Sequence, residues 1–94
     1  MHVITKKRII EAKALYPSCA SALDGWYRVI RNNVFKSFSD LKVSFNSVDK
    51  VGCLYVFDVG ENKLRLIASI HFNRQKLYIR YILTHKEYDK ANWR

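Results

Sequence analysis

Apolar positions recur along this chain first at helical spacing and then at strand spacing. The β-branched start "HVIT" predicts a short strand. Over residues 6–16, "KKRIIEAKALY" favours a helix that Pro17 ends. Ser18 is placed to cap a second helix, in which Cys19, Ala22, Leu23, Trp26 and Ile30 lie three and four apart. Asp24, Arg28 and Arg31 fall on the opposite side. Two amphipathic helices joined by so few residues predict an antiparallel hairpin. Residues 32–50 are less regular; Phe35, Phe38, Leu41 and Phe45 predict a connector tied to the core, with a short helical turn after Ser39.

Beyond that connector the period becomes two. "CLYVFDV", "KLRLIASIHF" and "KLYIRYIL" are separated by the turn signals "GENK" and "NRQ", which predicts a three-stranded antiparallel meander. Residues 84–93 read as a short closing helix. The expected class is α+β in the order β-α-α-β-β-β-α, with residues 1–94 forming one domain, as the length suggests.

Alternation sorts the side chains of the last two strands. Leu64, Leu66, Ala68, Ile70 and Phe72 share one face, and Leu77, Ile79, Tyr81 and Leu83 form the matching apolar set. Those faces are expected against the helices, because a one-residue slip would expose them. Arg65 and Arg80 then fall on the opposite surface. A two-residue turn at Asn73 and Arg74 would set Ile67 across from Arg80 and Arg65 across from Ile82, with the two guanidiniums diagonal neighbours. Neighbouring guanidiniums repel unless an anion lies between them, and their planar forks match phosphate oxygens. Arg65 admits a second reading: a four-residue "GENK" loop sets Asp58 across from it as a cross-strand ion pair.

The strand-to-helix junction "YIRYILTHKEYDK" carries the remaining candidate chemistry. Thr84 and Glu87 match the T-x-x-E capping box, which makes His85 the first helical residue and accounts for both capping residues without catalysis. The helix dipole disfavours protonation of His85, and a neutral imidazole can accept a proton. Tyr88 lies on roughly the same side, and its bland alternative is a hydrophobic staple with Leu83. An exposed histidine without a task is the alternative for His85, and core packing is the ordinary reading of Trp26.

Charge changes this picture more than composition does. At 49% hydrophobic and 14% aromatic, with three glycines and one proline, the chain is globular in character. Seventeen Lys and Arg against eight Asp and Glu leave a formal charge of +9, which favours capture of polyanions. RNA or DNA is the leading partner class; an acidic protein partner, or charge kept for solubility, fits the same number. Lys6, Lys7 and Arg8 form an exposed basic run that suits RNA steering or plain solvation. No apolar run approaches the ~20 residues needed to span a membrane, and the N-terminus does not resemble a signal peptide. Cys19 and Cys53 are too few and too far apart for a disulfide framework. His2, His71 and His85 lack metal-ligand spacing, so neither metal nor cofactor is expected.

The segment "YVFDVGENKLRLIASIHFNRQKLYIRYILTHKEYDK", preceded by "GWYRVIRNNVFKSFSDLK", resembles the HigB family of bacterial toxins within the RelE-like superfamily. The likeness runs from "HVITKK" onward, and its most specific pieces are "NKLRL", "YIRYILTHKEYD" and the "WY" pair of the second helix. The resemblance implies a small antiparallel sheet with a helical pair on one face and a basic active surface. It also implies a cytoplasmic bacterial endoribonuclease that cleaves mRNA on the 70S ribosome. The RNA 2′-hydroxyl would attack the adjacent phosphate without a metal ion. On the same basis, Arg80 matches the arginine that stabilises the transition state, and Arg65 a strand arginine that grips phosphate. His85 and Tyr88 lie where relatives carry acid/base or base-stacking residues, while Lys42, Lys50, Lys86, Lys6 and Lys7 are candidate RNA contacts. The implied partner is a HigA-type antitoxin with a helix-turn-helix domain, through which alone operator DNA would be bound. The chain stops at "ANWR" where some relatives carry a basic tail, which implies weaker ribosome attachment. The competing functional class is a non-catalytic basic module that binds RNA or DNA.

Overall fold

The computed structural model describes residues 1–61, 63–90 and 93. Strand β1 (His2–Val3) leads into α1 (Lys6–Leu15), which Pro17 terminates as expected. Proline's fixed φ suits the first position of a turn rather than a helix interior. A 3-10 turn over Pro17–Cys19 therefore intervenes before α2 (Ala20–Asn32). Ser18 sits inside that turn and makes no helix cap, which corrects the expected role of its hydroxyl.

The expected apolar stripe of α2 is the buried one, with Cys19, Leu23, Trp26 and Ile30 turned into the core. In the connector, α3 (Phe38–Ser44) starts where the Ser37 side chain accepts a hydrogen bond from Asp40 N. Phe35 and Leu41 are buried, and Phe38 and Phe45 pack against them, so the connector is held by its apolar residues.

Five strands follow the order β1-β5-β4-β3-β2. The predicted meander is β3 (Leu54–Val59), β4 (Leu64–His71) and β5 (Lys76–Thr84), all antiparallel. Two short strands extend it. β1 pairs parallel to β5 through His2 and Val3, and β2 (Asp49–Val51) pairs antiparallel to β3. The polar segment "DKV" gave no apolar alternation by which β2 could be foreseen. Gly52, at φ 62°, makes the tight turn into β3, so Cys53 belongs to the turn and not to the strand.

The β4–β5 turn is longer than the two residues expected, because His71 pairs with Lys76. Phe72–Arg74 form a 3-10 turn and Gln75 takes a left-handed conformation. The Gln75 side chain explains the choice: its amide donates to Phe35 O at 2.6 Å and Phe72 O at 2.8 Å, tying connector and turn together.

Helices α1, α2 and α3 cover one face of the sheet. Leu64, Leu66, Ala68, Leu77 and Ile79 meet Leu23, Trp26 and Ile30 there, with the Trp26 ring edge-on to Phe57 at 5.3 Å. Burying each such side chain is worth roughly 1.5–3 kcal/mol, which makes this face the main source of stability. A smaller cluster of Val56, Ile67 and Trp93, flanked by Leu83 and Tyr88, lies apart from it. The closing helix α4 (His85–Asp89) supplies Tyr88 to that second cluster.

Candidate functional site

A β-bulge in β5 decides where Arg80 goes. Residues 76–79 pair with 68–71, and residues 81–84 pair with 64–67, which leaves Arg80 as an extra residue opposite the Ile67–Ala68 step. One added residue reverses the side-chain parity of everything after it. Leu77 and Ile79 face the helices, but beyond the bulge Ile82 pairs with Leu66 and packs on the main core. Tyr81 and Leu83 turn to the other side. This corrects the expected register: Arg65 lies across from Leu83 rather than Ile82, and Ile67 across from Tyr81 rather than Arg80. Packing supplies the reason. The shift seats an aliphatic Ile82 on the core and leaves Tyr81, at 39% exposure, its phenol near water.

Arg80 is exposed and lines a cleft of about 340 Å³ with Thr5, Arg8, Tyr78, Ile79 and Tyr81. The first turn of α1 closes one side of that cleft. Thr5 Oγ1 accepts a 2.6 Å hydrogen bond from Ile79 N, and Ile4 N donates to Leu77 O, so the helix start is fixed to β5 just before the bulge.

Arg65 has a different setting. Its Nη1 lies 3.1 Å from Asp58 Oδ1 on β3, and the side chain is 13% exposed. The four-residue Gly60–Lys63 loop produces that pairing, as the alternative reading of the sequence anticipated. The Arg65 guanidinium also lies over the Tyr88 ring, 5.6 Å from its centroid. Tyr88 in turn stacks on Trp93 at 5.1 Å, and the Trp93 indole donates to Tyr88 O at 3.1 Å. Arg65 is thus part of a layered stack that holds Tyr88 in place.

Both arms of the capping box at α4 are present: Glu87 N donates to Thr84 Oγ1, and Thr84 N donates to Glu87 Oε1. The Thr84 backbone and hydroxyl bonds, helped by Lys90 and the Tyr16 phenol, hold the Glu87 carboxyl below the usual carboxylate range. The Tyr16 phenol is pushed up, first by burial and then by the Glu87 charge. His85 is 58% exposed, with Nδ1 3.4 Å from Asp89 Oδ2. Asp89 was not part of the sequence argument, although its i,i+4 spacing made it readable.

The lysines expected to touch RNA are not gathered around Arg80. Lys50 lies across from Tyr55, which puts it on the helical side of the sheet, and Lys42 lies 5.7 Å over the Phe38 ring. Lys6 sits 5.0 Å over Tyr27, while Lys7 and Lys86 are exposed on α1 and α4. By contrast, the side of the sheet away from the helices presents Ser69, His71, Tyr78 and Tyr81. His71 packs edge-on to Tyr78 at 5.6 Å. His71 is six positions from Arg65 along β4 and so shares its side of the strand, which makes this pair partly legible in the sequence; the placement of Tyr81 required the bulge.

Among the described residues no group of His, Cys, Asp and Glu could hold a metal ion, and no helix is long and apolar enough to cross a membrane. Arg80 offers an exposed planar donor between two tyrosines, a combination that suits a phosphate with its attached bases.

Known proteins point the same way. The family model for HigB toxins, the RelE-like toxic component of a toxin–antitoxin system, matches residues 19–91. The mRNA interferase toxin HigB of Escherichia coli K12 is 42% identical over 92 residues, covering 95% of this chain and 88% of that protein. The mRNA interferase HigB of Shigella flexneri gives the same identity and coverage. The mRNA interferase HigB of Escherichia coli O6:H1 is 38% identical over 93 residues, covering 96% and 90%.

Proposed function

The chain belongs to the HigB family of RelE-like toxins, the toxic components of toxin–antitoxin systems, and from that premise we propose that it is an mRNA interferase acting on the translating ribosome. It is an endoribonuclease that stops translation by cutting the message in the bacterial cytoplasm. The 2′-hydroxyl of one nucleotide loses its proton to a base and attacks the adjacent phosphorus, and the bond to the 5′-oxygen breaks as that oxygen takes up a proton, leaving a 2′,3′-cyclic phosphate and a 5′-hydroxyl end.

The observation that carries this reading is the exposed Arg80 at the β5 bulge, in a cleft walled by Tyr78 and Tyr81. A guanidinium there can bind the non-bridging oxygens more tightly as negative charge accumulates in the transition state. The two tyrosines offer flat surfaces for the flanking bases. Arg65, enclosed and paired with Asp58, acts as a positioning residue for the Tyr88 ring. His85 is the proton-transfer candidate, its imidazole exposed and with Nδ1 3.4 Å from Asp89 Oδ2. It stands five positions from Arg80, about 16 Å at strand rise, so the two groups meet one phosphate only through extended side chains.

A helix-turn-helix antitoxin of the HigA type would silence this activity, and the complex would reach operator DNA through the antitoxin alone. The decisive test is Arg80→Ala with programmed ribosomes, followed by mapping of new 5′ ends on the message. Cleavage is expected to fall by about 10²-fold or more with an unchanged thermal midpoint. A folded Arg80→Ala protein that cuts at the wild-type rate would defeat the assignment. Binding of the wild type to ribosomes without any new 5′ ends would instead favour the non-catalytic RNA-binding module.

A further inference from the structure

We propose that Arg8 is the second phosphate-binding guanidinium of the Arg80 cleft, gripping a phosphate next to the one that reacts; this rests on the mRNA-cleaving reading above. Two neighbouring arginines were expected from strand alternation, but the structure takes Arg65 out of that role by enclosing it against Asp58. Its place beside Arg80 is filled from a different element. Arg8 and Arg80 are both exposed and both line the same cleft.

Their juxtaposition is built into the backbone. Thr5 stands at the N-cap position of α1 without a side-chain cap bond, and its hydroxyl instead accepts the 2.6 Å bond from Ile79 N. The carbonyl of the same Thr5 accepts a 3.0 Å bond from Arg8 N. One residue therefore bonds both to the first turn that carries Arg8 and to the strand residue preceding Arg80. Two guanidiniums directed to one cleft repel each other until an anion enters. Among the described residues no carboxylate lies within ion-pair distance of either one. Glu11 shares the adjoining groove with Arg8 and is the acid placed to compete for it. A polynucleotide backbone supplies what the pair lacks, since consecutive phosphates give each arginine its own partner.

The test compares wild type with Arg8→Gln, Arg8→Lys and Arg80→Gln in cleavage of mRNA on programmed ribosomes. Arg28→Gln, on the exposed side of α2, removes the same charge elsewhere. Arg8→Gln is expected to lower kcat/KM roughly 10- to 100-fold, mainly through KM, with an unchanged thermal midpoint. Arg8→Lys should recover part of that loss because a point charge remains. The inference is overturned if Arg8→Gln stays within about twofold of Arg28→Gln, if lysine restores nothing, or if the loss follows a lowered melting point. Wild-type activity in Arg8→Gln beside an inactive Arg80→Gln removes Arg8 alone. Absence of cleavage by the wild-type protein removes the functional reading and this inference with it.

Discussion

Arg65 and Arg80 carry the same charge on adjacent strands, yet one is enclosed and the other exposed. Arg65 is held by Asp58 at 3.1 Å and by the face of Tyr88. Asp58→Ala deletes this charge-assisted contact at a largely enclosed site and should destabilise the fold by about 1–3 kcal/mol. Urea denaturation measures this, and an unchanged midpoint would mean that the pair contributes nothing. The Asp58–Arg65 pairing was readable from the sequence because a four-residue loop fixes which residues face each other. Arg80's setting was not, since its neighbours Thr5 and Arg8 are contributed by a helix some seventy positions away.

Among the elements, α4 is the shortest helix and the one whose ends matter most. It spans five residues, too few for intrinsic helix stability, and so depends on its capping box, in which Glu87 is the acid. Its carboxyl is depressed in the folded protein, so its contribution is complete above the unfolded-state value and is lost as pH falls through the folded value. Acidification below the ordinary glutamate range, about 4.3, should therefore loosen α4. The aromatic circular dichroism of the Tyr88–Trp93 stack reports this, and Glu87→Gln should remove the acid-dependent step. Persistence of that step in the variant would assign it to another group. The T-x-x-E signature made this helix legible, because capping is local chemistry. The β5 bulge was hidden for a related reason: Ile79, Tyr81 and Leu83 satisfy alternation whether or not one residue is added, and a tyrosine tolerates either face.

The whole molecule combines a formal charge of +9 with a sheet that α1, α2 and α3 cover on one face, while α4 brings Tyr88 against Val56 and Ile67 on the other. On the proposed reading, capture of the ribosome by such a body would be electrostatic, and its affinity should fall steeply between roughly 50 and 200 mM salt. Sedimentation of the toxin with ribosomes across that range tests the point; a flat response would mean that apolar contacts dominate. At this scale the roles of sequence and tertiary structure separate cleanly. Local spacing alone determined the helical hairpin, the meander, the capped closing helix and the Asp58–Arg65 pair, since each depends on residues a few positions apart. Only the folded chain decided that β1 pairs beside β5, that a bulge turns Tyr81 and Leu83 away from the helices, and that Arg8 lines one cleft with Arg80. Those outcomes follow from packing and hydrogen bonds between distant segments, which no periodicity along one strand records.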